Sequence, residues 1–310
     1  MKLLNIKNIL FPTDFSKCAA QALEHALFLA RYFQARLHII HAIVLHEEDP
    51  HNPAHHFPNP KELREKLENL ARKRMDSDLA ACNESEKEVD ITMKELRGLS
   101  ATDLILGYAN EHNTDLIVMG THGRRGLGYM FLGSIAQEVV REASCPVYTI
   151  RESERPKTPS KIDEILSPVD FSDHSKLAVS TAKEVAKLYN AKLQLLHVIE
   201  ETVHPIFYTS AKASILEFRP DIVVLSKKAM RRIFGDSPGP DIEAEFKVVT
   251  GHVVNEILEY ARCNSIDLIV IATHGLSGLK HLILGSVAEK VIRMAPCPVL
   301  TVRAFGKSLA

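Results

Sequence analysis

The chain carries one pattern twice, and nothing else in it restricts the possible folds as sharply. Ile9-Leu10-Phe11-Pro12-Thr13-Asp14-Phe15-Ser16 recurs as Ile165-Leu166-Ser167-Pro168-Val169-Asp170-Phe171-Ser172. Leu37-His38-Ile39-Ile40-His41 recurs as Leu193-Gln194-Leu195-Leu196-His197, and both pairs are offset by 156 positions. Asp115-Leu116-Ile117-Val118 returns at Asp267-Leu268-Ile269-Val270, Thr121-His122-Gly123 at Thr273-His274-Gly275 and Cys145-Pro146-Val147 at Cys297-Pro298-Val299, now offset by 152. Self-similarity of this kind decides the architecture before any local pattern does: two copies of one domain, the second shorter in its middle.

Between the copies, Glu152-Ser153-Glu154-Arg155-Pro156-Lys157-Thr158-Pro159-Ser160 is polar and carries two prolines, the composition of a boundary. The expected organisation is a first domain over 1–152, a linker over 153–160 and a second domain over 161–310. Composition suits globular halves, with 45% hydrophobic and 25% charged residues. A formal charge of -1 gives no global field for nucleic acid or anionic membrane, so any anion site must be local. Cys18, Cys82, Cys145, Cys263 and Cys297 form no CxxC pair and are odd in number, against a disulfide framework or a zinc site. No apolar run approaches a membrane span, and Pro12 and Asp14 come too early for a signal peptide. The expectation is a cytoplasmic protein with neither a nucleic acid nor a membrane as partner.

Each copy opens with a short apolar run, Asn8 to Pro12 or Glu164 to Pro168, followed by an amphipathic helix such as Ser16 to Phe33. A second strand follows, Arg36 to Val44 or Lys192 to Ile199, and in the first copy a charged helix from Lys61 to about Cys82. A strand around Val89 to Leu96 or Glu245 to Val249 leads to a helix over Ala101 to Glu111 or Val253 to Cys263. Asp115 to Met119 and Asp267 to Ile271 are nearly all apolar, as strands covered on both faces are, and a last helix and strand close each copy. Alternation of this kind predicts an α/β fold: two tandem open five-stranded parallel sheets, Rossmann-like, with helices on both faces. Ligands of such sheets bind beyond the carboxyl ends of the strands, where strand order switches.

The residues that carry chemistry follow strands. After Met119 come Gly120-Thr121-His122-Gly123, nine further residues, and Gly133-Ser134 opening a helix from Ile135 to Glu142. Glycine lets the backbone approach an anion, and the free amides and dipole at a helix start favour phosphate. The spacing is GxxGx9G(S/T), neither a Walker A loop nor the GxGxxG fingerprint.

With this motif, the PxDFS opening, the DLIVMGTHG strand and loop, the LGS helix start and the closing CPV strand, the chain resembles the universal stress protein family over nearly its whole length, twice. The resemblance implies an adenine nucleotide alpha hydrolase-like fold and an ATP site, with magnesium as counter-ion and ADP or AMP as alternatives. It places Pro12, Thr13 and Asp14 near the adenosine, the backbone of Ala42 at the adenine, and Gly120 by the ribose. Gly123, Gly133, Ser134 and the backbone of Ile135 would cradle the phosphates. The second-copy equivalents are Asp170, Val198, Ala272, Gly275, Gly285, Ser286 and Val287, with Ala272 replacing the first motif glycine. Arg124 and Arg125 become Leu276 and Ser277, which weakens phosphate attraction in the second copy. The resemblance also implies that the last strands of the copies pair as an internal pseudo-dimer, with a homodimer of chains and an unidentified protein partner as further expectations.

Plainer readings compete. Ser134 with Gln137, and Ser286 with Glu289, also fit a capping box. Asp14 and Asp170 could serve only the dipole of the helix that follows. His122 and His274 suit a hydrogen-bonding role, His41 and His197 a structural one, and Cys145 and Cys297 small buried positions. His46, Glu47, Glu48, Asp49, His51, His55 and His56 match no standard zinc spacing, and the expectation is no metal site. No catalytic residue is assigned. The leading function is a regulatory nucleotide-binding module; the alternatives are a slow ATPase or nucleotide-transferring enzyme, and a nucleotide-free interaction scaffold.

Overall fold

The computed structural model describes residues 5–44, 60–82, 89–122, 132–153, 159–200, 219–273 and 284–303, with ten strands and eight helices among them. The chain divides into two compact units, Asn5–Pro159 and Ser160–Ala310. In the first, β1 (Asn8–Pro12), α1 (Lys17–Phe33), β2 (Arg36–Val44), α2 (Pro60–Ala81), β3 (Ile91–Gly98), α3 (Ala101–Glu111), β4 (Leu116–Gly120), α4 (Ser134–Glu142) and β5 (Val147–Ile150) follow in order. The strand order is β3-β2-β1-β4-β5, and every pairing is parallel.

The second unit repeats this with β6 (Glu164–Pro168), α5 (Asp173–Tyr189), β7 (Lys192–Glu200), α6 (Ile222–Asp236), β8 (Ala244–Gly251), α7 (Val253–Cys263), β9 (Leu268–Ala272), α8 (Ser286–Met294) and β10 (Val299–Val302). Its order is β8-β7-β6-β9-β10, again parallel. The fold class is the expected one. The third strands run two residues beyond the predicted end at Leu96 and at Val249, because they are half-buried along their length and show no clean alternation of apolar and polar residues.

Strand geometry explains why helices cover both faces. Successive side chains of β2 point to opposite sides. Ile39 lines a small cavity with Ala19 and Leu23 of α1 and Met75 of α2, while its neighbour His38 bonds Tyr108 of α3. The helices bury matching stripes: α2 sinks Ala71, Met75 and Leu79 at four-residue spacing, and the exposed Arg74 pairs at 3.0 Å with the half-buried Asp78. The inner strands are apolar on both sides, and Ile9, Leu10, Leu37, Ile40, Ile117 and Val118 are fully buried.

Each sheet is also pinned at its amino-terminal edge by a carboxylate. Asp115 Oδ2 accepts from the amides of Lys7 and Asn8 at 2.9 and 3.0 Å, and Asp267 Oδ2 accepts from those of Asp163 and Glu164 at the same distances. The repeated DLIV tetrapeptide therefore contains one residue that ties β4 to β1, or β9 to β6, before the apolar run begins.

Candidate functional site

In each unit the strand order reverses direction at the first strand, so the crevice lies between the carboxyl ends of β1 and β4 in the first copy and of β6 and β9 in the second. The turn that leaves β1 is wound tightly. Thr13 donates its amide to Ile40 O at 2.8 Å, and its hydroxyl accepts from the Phe15 amide at 3.0 Å. Asp14 Oδ1 accepts from the Ser16 amide at 3.0 Å, an Asx turn that carries the chain into α1. Ser16 is the N-cap, its hydroxyl accepting from the Ala19 amide at 3.1 Å, so Asp14 is not itself the cap.

Phe15 has a φ of 62° and Phe171 of 64°, a left-handed conformation that is costly for an aromatic residue. A ring contact holds each in place: Phe15 lies 4.4 Å from His41 and Phe171 4.2 Å from His197, centroid to centroid. His41 Nδ1 sits 2.8 Å from Thr13 O and His197 Nδ1 2.8 Å from Val169 O, which makes both histidines structural, as expected. Burial holds the His197 imidazole below its ordinary pKa. The phenylalanines were not singled out in the sequence, although the DFS triplet recurs at both turns.

Gly120 ends β4 where α1 crosses it. A Cβ at this position would stand 2.8 Å from Cys18 Sγ and 3.2 Å from the Cys18 carbonyl carbon. The Cys18 thiol is fully buried and donates to Ile150 O at 3.2 Å, and its burial raises its pKa. In the second copy Cys18 becomes His174, and Ala272 takes the place of Gly120. Neither Gly120 nor Ala272 has a positive φ. β9, which Ala272 ends, packs against α5 as β4 packs against α1.

Beyond β4, Thr121 donates to Ile150 O at 2.8 Å, and its hydroxyl lies 2.8 Å from His122 Nδ1. Thr121 O then accepts from the Gly133 amide at 2.8 Å, and His122 O from the Ser16 hydroxyl at 3.4 Å. Residues 121 and 122 thus draw the starts of α1 and α4 together at one strand end. The two starts differ. Ser16 caps α1, whereas the N-cap of α4 is Gly133, with no side-chain cap, and that of α8 is Gly285, likewise uncapped.

The capping-box reading is therefore corrected: Ser134 and Ser286 are first helical residues, one position too late to cap. Among the described residues no acceptor is seen for the amides of Ser134, Ile135 and Ala136, and Ser134 and Ile135 are exposed. Gly133 is a close fit as well, since a Cβ there would meet Thr121 O at 3.2 Å.

Of the predicted site residues, Pro12, Thr13, Asp14, Gly120, Gly133, Ser134 and Ile135 gather at the carboxyl end of the first sheet. Ala42 stands further along β2, in register with Leu96 of β3. Asp170, Val198, Ala272, Gly285, Ser286 and Val287 take the corresponding places in the second. Gly123, Gly275, His274, Arg124, Arg125 and the His46 to His56 segment lie outside the described residues. Cys145 and Cys297 are buried, as small apolar positions. No group of three His, Cys, Asp or Glu side chains able to hold a metal occurs among the described residues, and no described helix is long and apolar enough to cross a membrane.

Fold and site together define a class: tandem, doubly wound parallel α/β domains in which an uncapped helix start faces the switch point of the sheet. The chain belongs to the universal stress protein family, whose sequence profile matches residues 5–151 and again 161–303. The universal stress protein YxiE of Bacillus subtilis (strain 168) is 33% identical over 149 residues, 46% of this chain and 99% of its own. Universal stress protein MJ0531 of Methanocaldococcus jannaschii is 32% identical over 140 residues, 45% of this chain and 81% of its own. The crystal structure of a universal stress protein from Archaeoglobus fulgidus DSM 4304 shares the fold across 96% of this chain and 98% of that one, with a TM-score of 0.67 and 19% identity.

Proposed function

We propose that the first copy binds ATP in the crevice beyond β1 and β4, as a regulatory ligand rather than as a substrate for fast turnover, and that the second copy offers a homologous site. The observation that carries this reading is the start of α4. A glycine caps it, no described group accepts from its first amides, and it opens beside the switch point of the sheet. Three amides and the positive end of a helix dipole favour an anion there.

In this reading the amides of Ser134, Ile135 and Ala136 receive the phosphates together with Gly123, whereas the Gly133 amide, which the resemblance also assigned to the phosphates, stays on Thr121 O. Gly120 borders the ribose, Asp14 accepts from the adenosine, and the backbone of Ala42 meets the adenine. Magnesium accompanies the triphosphate. Ala272 does not argue against the second site, because a Cβ at the matching Gly120 would stand against Cys18 of α1 rather than in the crevice.

The first test is to identify and count the nucleotide released when freshly purified protein is denatured. The second is Ser134→Asp, which splits two effects. A carboxylate at the first helical position stabilises an uncapped helix by about 0.3–1 kcal/mol through the dipole, yet it sets a negative charge where the phosphates would sit. ATP affinity should fall at least about tenfold while thermal stability holds or rises. Unchanged affinity would remove the helix start from the binding site. Steady release of ADP by the pure wild-type protein would favour slow hydrolysis over ligand storage.

A further inference from the structure

One face of α6 is turned to solvent and carries aliphatic and cationic side chains together. The helix buries Ser226, Met230 and Ile233 at helical spacing, packed against β7, β8 and α5. On the opposite side Val224, Lys228, Arg231 and Gly235 follow at positions i, i+4, i+7 and i+11, all exposed. Leu225 and Arg232 flank this ridge. Val224 is 69% and Leu225 48% accessible, so two neighbouring aliphatic side chains stand in water beside the cations.

The charge of the ridge is one-sided. Lys227, Lys228, Arg231 and Arg232 share α6 with one acid, Asp236, which lies 3.6 Å from Arg232. Among the described residues Lys227 and Lys228 have no ion pair. Arg231 lies over the Phe246 ring at 5.5 Å, which steers its stem and leaves the guanidinium its donors. In α2, the matching helix of the first copy, Arg72 and Arg74 are taken up by Glu95 and Asp78, at 3.0 Å each. Gly235 adds a bare position. Its φ is not positive and a Cβ there would meet nothing within 4 Å, so an outside group has room to come close to the helix. The face is also stiff, because Lys183 of α5 donates to Phe234 O and Ser237 O at 3.0 Å each and fixes the carboxyl end of α6. A fixed surface loses less entropy on binding.

From this ridge we propose that α6 is a docking surface for an acidic segment of a partner protein, one that presents carboxylates around an aliphatic side chain. The carboxylates answer Lys228 and Arg231, and the aliphatic group covers Val224 and Leu225. A phosphate chain would use the cations alone and leave the aliphatic pair wet. A membrane-surface helix gives its apolar side to lipid, whereas α6 spends that side on Met230 and Ile233.

The probe is a fluorescently labelled synthetic helix with glutamates at i, i+3 and i+4 around two leucines, added to the full chain without nucleotide and followed by anisotropy. It should bind the wild type. Affinity should fall at least about tenfold for Lys228→Glu combined with Arg231→Glu, and it should fall for Val224→Ser as well. Gly235→Gln should weaken binding without lowering the Tm, since glutamine is the better helix former; a merely structural role for this face predicts no change in binding. The same peptide with glutamine for glutamate should bind at least about tenfold more weakly. No binding of the acidic peptide overturns the proposal, as does binding that the charge reversal and Val224→Ser leave unchanged. Phosphatidylserine vesicles and a single-stranded oligonucleotide are the remaining probes. If either binds more tightly than the peptide and loses affinity on the charge reversal, the face serves phosphate and the protein partner is refuted.

Discussion

At position 120 the space a side chain would occupy is filled from elsewhere, by the Sγ of Cys18. The sequence suggests one reason for a glycine there, approach to a ribose; the structure supplies another, the crossing of α1. Only the fold brings Cys18 to the end of β4, so no local pattern could have revealed it. Gly120→Ala should therefore destabilise the protein by about 1–3 kcal/mol, as overpacking does. Adding Cys18→Ala should restore part of the loss, and urea unfolding of both single variants and the double variant measures the coupling. His25 gives a second residue-scale prediction. Burial beside Tyr148 lowers its pKa to about 4. Stability from its neutral form is complete above the unfolded value of about 6.5 and is lost as the pH falls toward 4, at most about 3 kcal/mol. His25→Gln should flatten this acid limb of the pH–stability curve; an unchanged limb would show that other groups control it.

Among the elements, α3 and α7 carry the same network in two chemical versions. In the first copy His38 Nδ1 lies 2.9 Å from Tyr108 Oη, and the Tyr108 ring stacks on His112 at 3.8 Å. In the second, Tyr260 donates to Gln194 Oε1 at 2.5 Å, and Asn264 donates to Tyr260 O at 2.9 Å. Burial, then His112 and Arg36, lower the His38 pKa, while Asp90 opposes them; Glu111 acts on Tyr108 from α3. A base lowered in the folded state withdraws its support as pH falls below the unfolded value of about 6.5. Acidification should therefore open β2 and α3 before β7 and α7, as read by hydrogen exchange. The double variant His38→Gln with His112→Asn should narrow the difference between the two copies, with His25 still separating them. The contrast between the copies was present in the sequence, where His38 and Gln194 stand at matching places in the repeat. What it lacked was the tyrosine, which reaches the strand only when α3 packs. Element boundaries were legible where burial is one-sided or complete, as in Arg36–Val44 and Val253–Cys263, and drifted at the half-buried third strands. The helix starts were misread by one position, because a serine after a glycine fits both the cap and the first turn until the backbone angles are known.

On the scale of the molecule, duplication gives every site a built-in comparison, and ligand stabilisation should show it. At a hundred times its Kd, ATP adds about 2.7 kcal/mol to a unit that binds it. Calorimetric melting with rising ATP should move one transition at lower concentration than the other, and movement of both together would mean equal sites. The doubling of the fold was readable from the repeated motifs alone, since it needs no side-chain geometry.

The strand order also sets a problem during synthesis. The first strand of each copy sits in the middle of its sheet and must wait for its fourth-strand neighbour, while a second, closely similar neighbour is made later on the same chain. If β9 took the place of β4, Ala272 would bring a methyl to the point 2.8 Å from Cys18 Sγ that Gly120 leaves open. Refolded Cys18→Ala should then give more strand-exchanged oligomer on size exclusion than wild type, and an equal yield would refute the idea. On that expectation the buried thiol would admit the strand that ends in Gly120 and turn away the one that ends in Ala272.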